Sequence, residues 1–302
     1  LSNILFMSMP ITDPRGWISL PNVRCCASLI KEIATIEANG FANLRFAATA
    51  NVKPFTPFFP AAYGERGEFA FSFAMECADT AISIFEEAVD IHMGCQMLCD
   101  TFLKNAKEIE TIIQKNAQVQ PDLTFQGFDF SLAPYPEEAR SFGKALEALG
   151  VGSIGSAGSV TAAAILAGAL DAGKWKKAGF NGLMMPILED SILAQRSASG
   201  VLTIYDVLQY SCVCGTGLDT IPLAGDIAVE KIEALLLDVG ALALRLHKPL
   251  TARLMPIPGK RAGDDTEFNF SYFAQGKVLD YPYSPLSQPL TVGEKIEIRR
   301  HA

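Results

Sequence analysis

Short apolar runs of strand length alternate along the chain with longer stretches whose apolar positions recur at helical spacing. Strand-like runs occupy 4–10 (ILFMSMP), 44–50 (LRFAATA), 68–75 (EFAFSFAM), 123–132 (LTFQGFDFSL), 182–187 (GLMMPI), 251–257 (TARLMPI) and 268–273 (FNFSYF). Between them the pattern predicts helices. One starts near Pro21, because proline is tolerated in a first helical turn, and ends near Gly40, a C-terminal cap. Others cover 78 to about 118 with a break near Gly94, then 136–149, 159–171, 189–198 and 202–213. In the last helix Ile232, Leu235, Leu236, Val239, Leu242 and Leu246 share one face, as in a helix laid on a core. Residues 51–64, rich in proline and phenylalanine, and the tail beyond Tyr281 read as loop. Repeated strand–helix–strand units predict an α/β fold with much parallel pairing. No internal repeat and no long polar linker divides the chain, so one domain over 1–302 is expected.

Composition narrows the function classes. With 49% hydrophobic and 19% charged residues over 302 positions, the chain can bury a sizeable core. A net charge of −8 and the lack of a basic tract argue against nucleic acid as a partner. Residues 148–170 carry no charge over 23 positions, but five glycines and three serines interrupt them; a buried helix is predicted rather than a membrane span. Seven cysteines, an odd number, suit reduced thiols in a cytoplasmic protein. No basic leader region is visible in the first ten residues. Position 1 is Leu rather than Met, and the strand at 4–10 has no preceding partner, so a missing N-terminal segment is expected. A homo-oligomer is expected on general grounds.

Candidate chemistry gathers in CVCGTGLDTIPLAGD (212–226) and TARLMPIPGKRAGDD (251–265). Cys212 and Cys214 are either reactive, which needs a nearby cation or helix N-terminus to ionise them, or small buried side chains. His92, Cys95 and Cys99 share a helical face but lack a fourth zinc ligand, so they read as core. Gly155, Ser156, Gly158 and Ser159 lie in a glycine-rich loop before a helix. They either bind a phosphate or carboxylate or form a tight turn with no ligand; neither the Walker nor the dinucleotide fingerprint is present. Asp129, Glu189, Asp190, Asp219 and Asp226 all fall in or near strands or glycine turns. Strand ends converge on the ligand crevice in α/β folds, so Asp129, Cys214, Asp219 and Asp226 are expected to form one reactive wall. Glu189 and Asp190 are candidate ligands for a divalent cation, Mg²⁺ or Ca²⁺. Lys260 and Arg261 either clamp an anion or are simply solvated.

GFDFSLAPYP (127–136), VGSIGSAGSVTAAA (151–164), CGTGLDTIPLAGD (214–226) and ARLMPIPGKRAGD (252–264) together resemble the DUF711/UPF0210 family. ANLRFAATAN (42–51) and TPFFPAAYGERGEFAFSF (56–73) fit it more loosely. The resemblance implies a fold similar to pyruvate formate-lyase and ribonucleotide reductase, a barrel of about ten strands from two antiparallel halves. It implies no activity. It aligns Cys214 with the family's cysteine, whereas Ala157 stands where the family often has histidine. Members also carry two more strand–helix units before the position of Ile4. The late segment LTVGEKI (290–296) lacks the arginine and the aromatic of a glycyl-radical loop, so radical chemistry is rejected. The leading expectation is a cytosolic enzyme acting on a small anionic metabolite at a barrel mouth, by acid–base, thiol or metal-assisted lyase or hydrolase chemistry. A non-catalytic metabolite binder or assembly protein is the rival.

Overall fold

In the computed structural model the described residues are 5–64, 67, 69–116, 122–213 and 216–300. The chain opens with β1 (Met7–Pro10), β2 (Thr12–Asp13) and β3 (Trp17–Ser19), followed by α1 (Leu20–Ile33) and β4 (Phe46–Ala50). Next come β5 (Phe69–Ala74), α2 (Ala78–Glu87), α3 (Ile91–Asn116) and β6 (Leu123–Asp129). Four helices follow β6: α4 (Phe142–Ala148), α5 (Ser159–Ala172), α6 (Ser191–Ala198) and α7 (Ile204–Val213). The remainder is β7 (Gly217–Ala224), α8 (Val229–Arg245), β8 (Leu250–Ile257) and β9 (Lys295–Glu297).

The largest sheet has the order β1-β4-β8-β7, with β4 antiparallel to β8 and the other pairs parallel. Every residue of β8 is buried, as expected of a strand covered on both faces, where a continuous apolar run replaces alternation. Helices α1 and α8 pack on each other and on this sheet. Ile232, Leu235, Leu236 and Val239 are fully buried as the periodicity predicts, but Ala243 takes the inner place and Leu242 is only half-buried. Each fully buried Leu or Ile contributes about 1.5–3 kcal/mol.

Local chemistry explains several boundaries. Ser19 caps α1 by accepting from Asn22 N, and Pro21 sits in the first turn. The helix stops at Ile33 rather than near Gly40. Residues 38–45 form tight turns with Asn39 and Gly40 in left-handed backbone, and Gly40 abuts the Pro256 carbonyl. The long helical region breaks at 88–90, where Ala88 is extended and Asp90 accepts from Met93 N; Gly94 stays inside α3. The run 268–273 is no strand: Phe268 and Phe273 are buried against Phe41 in an aromatic cluster.

The barrel implied by the family resemblance is not formed. The described residues make open sheets of four, three (β2-β3-β9) and two (β5-β6) strands, and none closes on itself. Isolated bridges, Leu132 with Leu183 and Pro186 with Asp219, link the ends of β6 and β7 through the 182–187 segment. These contacts do not grow into a ladder, and Pro186 has no N–H to extend one. No helix of the described residues is long and apolar enough to cross a membrane.

Candidate functional site

The strand β7 carries a bulge where it matters most. Its register with β8 slips between Leu218 and Ile221, so Asp219 and Thr220 together face the single residue Arg253. Thr220 has a φ of 42°, left-handed for a β-branched residue, which is uncommon and tends to mark functional or strained places. A bulge re-aims side chains. Here it brings Asp219 Oδ1 to 2.5 Å from Arg253 Nε. Arg253 Nη2 donates to Glu189 Oε1 at 2.8 Å. The guanidinium also lies 5.6 Å from the Phe59 ring centre, a cation–π distance.

Glu189 reaches this position through the neighbouring segment. Ile187 N donates to Asp219 O, Leu188 N to Thr220 Oγ1, and Glu189 N back to Pro186 O. The side chains of Arg253 and Asp219 are 7% and 9% exposed, whereas Glu189 is 26% exposed and forms the outer end of the trio. Burial is the largest influence on the Glu189 carboxyl and pushes it up; Arg253 opposes this, and the Asp219 and Glu76 carboxylates reinforce it, leaving it at about 7. Contact with water at its outer end tempers that burial. Arg253 stays protonated throughout, as a guanidinium does.

The other predicted residues lie elsewhere. Asp129 ends β6 in a cradle of its own. Its Oδ1 accepts from Ser131 N, Ser131 Oγ and Asn181 N, and its Oδ2 from Phe180 N at 2.7 Å. Gly179 packs against Oδ2 so closely that a Cβ there would collide with it. Burial raises the Asp129 carboxyl to about 6 against these hydrogen bonds. With its neighbour Asn181, which accepts from Trp175 Nε1, Asp129 ties β6 to the 176–183 segment. Asp190 is the cap of α6: Ile192 N, Leu193 N and Ser141 Oγ donate to Oδ1, and Gly143 N to Oδ2. Asp226 is exposed in the turn after β7, away from the acids it was expected to join. Cys214 lies outside the described residues.

Of the predicted acids, Glu189 and Asp219 meet on Arg253, whereas Asp129 and Asp190 are each held in a hydrogen-bond network of their own. Glu189 and Asp190, the expected cation ligands, are spoken for by a guanidinium and by four donors respectively. Among the described residues no three side chains of metal-ligating type converge. The loop at 155–159 is held by packing: Gly155 has a φ of 99°, abuts the Val201 carbonyl, and its N–H donates to Tyr210 Oη. Gly158 precedes α5 in left-handed backbone, Ser156 is exposed and Ser159 is buried. Lys260 pairs with Glu267 at the surface. Cys212 donates to Leu208 O within its helix, and burial pushes its thiol up, so it is poorly placed to act as a thiolate.

Arg253 and Phe59 went unremarked in the sequence. The signal for Arg253 was present: a lone charge among the apolar positions of Leu250–Ile257 cannot be buried without a carboxylate partner.

A UPF0210 protein of Pyrobaculum arsenaticum is 30% identical over 256 residues, covering 82% of this chain and 56% of its own length. One from Clostridium perfringens is 27% identical over 279 residues, 88% of this chain and 61% of its own. A third, from Bifidobacterium longum subsp. infantis, is 26% identical over 299 residues, 95% and 64% respectively. The chain thus spans roughly three-fifths of the length of these relatives. The family model described as Uncharacterised ACR (DUF711) matches residues 2–271, and the chain belongs to that family.

Proposed function

We propose that the chain carries the acid–base centre of a cytosolic enzyme acting on small molecules, with Glu189 exchanging the proton and Arg253 and Asp219 positioning it. One observation carries this reading: a carboxyl raised to about 7, tied through one oxygen to a permanent cation, with part of its surface in solvent. A group near half-ionisation at neutral pH takes a proton in one step and returns it in the next. Arg253 fixes Oε1, and among the described residues no donor meets Oε2, which is the oxygen left for a substrate. Asp219 holds the guanidinium from behind and is itself shielded from water. Such a centre suits lyase or hydrolase chemistry, in which a proton is abstracted beside a carbonyl or delivered to a leaving group.

Two measurements test it. The Glu189 carboxyl is followed by carbon NMR against pH, with a midpoint above 6 expected. Small carboxylic and phosphorylated metabolites are then screened for consumption by the wild-type chain and by Glu189→Gln. At least one compound consumed by wild type, and slowed at least about 100-fold by the variant, is the expected result. A midpoint below 5, equal rates in the two proteins, or ligands that bind without being consumed would each overturn the reading; the last would mark a non-catalytic binder.

A further inference from the structure

A cleft of about 680 Å³ shares no lining residue with the Glu189–Arg253 site and collects three basic side chains, Lys53, His247 and Arg300. The sheet topology brings them there. β1 and β4 run parallel and finish side by side, Pro10 opposite Thr49. β8 runs antiparallel to β4, so its first residue, Leu250, pairs with Ala50. The turn after α8, which carries His247, therefore meets the chain leaving β4, which carries Asn51 and Lys53. Arg300 arrives from the far end of the sequence. β9 pairs with β3, Ile298 N donates to Gly16 O, and Arg245 Nη1 holds the Arg299 carbonyl at 2.9 Å.

The charge balance at this place is unusual for the chain. None of the lining residues is acidic, although the protein has 33 acidic against 25 basic residues. Several surface cations elsewhere, among them Arg196, Lys260 and Lys277, pair with carboxylates, and Asp13, between the lining residues Thr12 and Pro14, is already paired with Arg15. Among the described residues no carboxylate pairs with Lys53 or Arg300. Like charges gathered without a counter-charge repel, and an anion relieves that repulsion. Crowding is visible at His247, whose imidazole is lowered by burial first and then by Arg300 and Lys53.

The backbone holds the arrangement in place. Asn51 and His247 both adopt left-handed conformations, φ 54° and 53°, and such residues cluster at binding and active sites. Asn51 N donates to Thr12 Oγ1 at 2.8 Å, and Asn51 Nδ2 lies 3.5 Å from His247 Nδ1. That contact sets Nδ1 beside the Asn51 amide. Pro10, Pro14, Val52 and Pro54 supply apolar lining beside the cations, enough to cover a carbon skeleton as well as a charged group.

We infer that this cleft binds a small organic anion, its carboxylate or phosphate held by Lys53, Arg300 and His247 and its carbon body set against the prolines and Val52. The inference is independent of any role for Glu189. It is tested by calorimetric titration of the 302-residue chain with glycerol 3-phosphate, succinate and, as an uncharged control, glycerol. Saturable one-to-one binding of at least one anion is expected, with none for glycerol. Lys53→Ala combined with Arg300→Ala weakens it at least tenfold, whereas Lys260→Ala combined with Lys277→Ala, which removes the same charge elsewhere, leaves it unchanged. On the wild-type protein the His247 ring protons shift with the bound anion while those of His92 do not. Absence of saturable binding, equal weakening by both double variants, full binding by the first, or a silent His247 would each overturn the inference.

Discussion

A carboxyl that accepts four hydrogen bonds usually titrates low, because every donor favours the ionised form. Asp129 does the opposite: burial outweighs Ser131, Phe180 and Asn181, and the group sits at about 6 rather than 3.8. The sign of the resulting pH dependence follows. A folded-state value above the unfolded one means that the stabilisation is complete below about pH 4 and is lost as pH rises through 6. The difference of about two units is worth about 3 kcal/mol. Urea unfolding of wild type and Asp129→Asn across pH 4 to 7 checks this, since subtracting the variant removes every other titrating group. The stability of wild type relative to the variant is expected to fall by that amount as pH rises over the interval; a constant difference would contradict it. At this scale the sequence was half legible. Of the acids near strand ends, Asp219 and Glu189 do meet, both on Arg253. What joins them is a bulge, and no periodicity announces that two residues of one strand will face a single arginine on the next.

Glycines decide much of the element geometry, and they do so unequally. Gly152 has open space where a Cβ would go, whereas Gly155, three residues on, has left-handed backbone and the Val201 carbonyl in contact. Gly155→Ala is expected to cost at least about 2 kcal/mol, from strain and displaced backbone together, while Gly152→Ala stays within about 1 kcal/mol of wild type. Thermal melts of the two variants check the contrast, and a neutral Gly155→Ala would show that the loop can move away from α7. Long helices with a clear apolar face, such as α8, were legible from spacing alone. Strand β7 was not, because Gly217, Asp219 and Pro222 break its pattern. The three-residue strands β3 and β9 are too short to carry a period. The reverse error occurred at 268–273, where phenylalanines that pack as a cluster imitate a strand.

Over the whole molecule, α/β character was legible and closure was not. The family resemblance implied a barrel, yet the described residues form three open sheets, with β1 and β7 at the margins of the largest. Apolar run and spacing predict that a strand exists, but partners are set by register and long-range contacts that a linear pattern does not encode. The spacing of acids and thiols suggested one cavity for the same reason, because a linear pattern carries no side-chain directions. The three-residue pairing of β3 with β9 spans nearly the full length of the sequence, and no local feature forecast it.

That pairing has a thermodynamic corollary. Trp17 in β3 is flanked by Arg15 at 4.3 Å and Lys295 Nζ at 3.7 Å, and this small clasp adds to the backbone pairing and the Arg245 contact that retain the segment bearing Arg300. If the cleft holds its anion only while that segment is docked, occupancy and docking must favour each other by the same factor. Saturating succinate or glycerol 3-phosphate should slow deuterium uptake at the amides of Ile296 and Ile298, and Trp17→Ala should both hasten that uptake and loosen the anion. Uptake indifferent to ligand would separate the clasp from the cleft. Coupling of this kind would make the 295–300 segment a reporter of what the cleft beside β1 and β4 encloses.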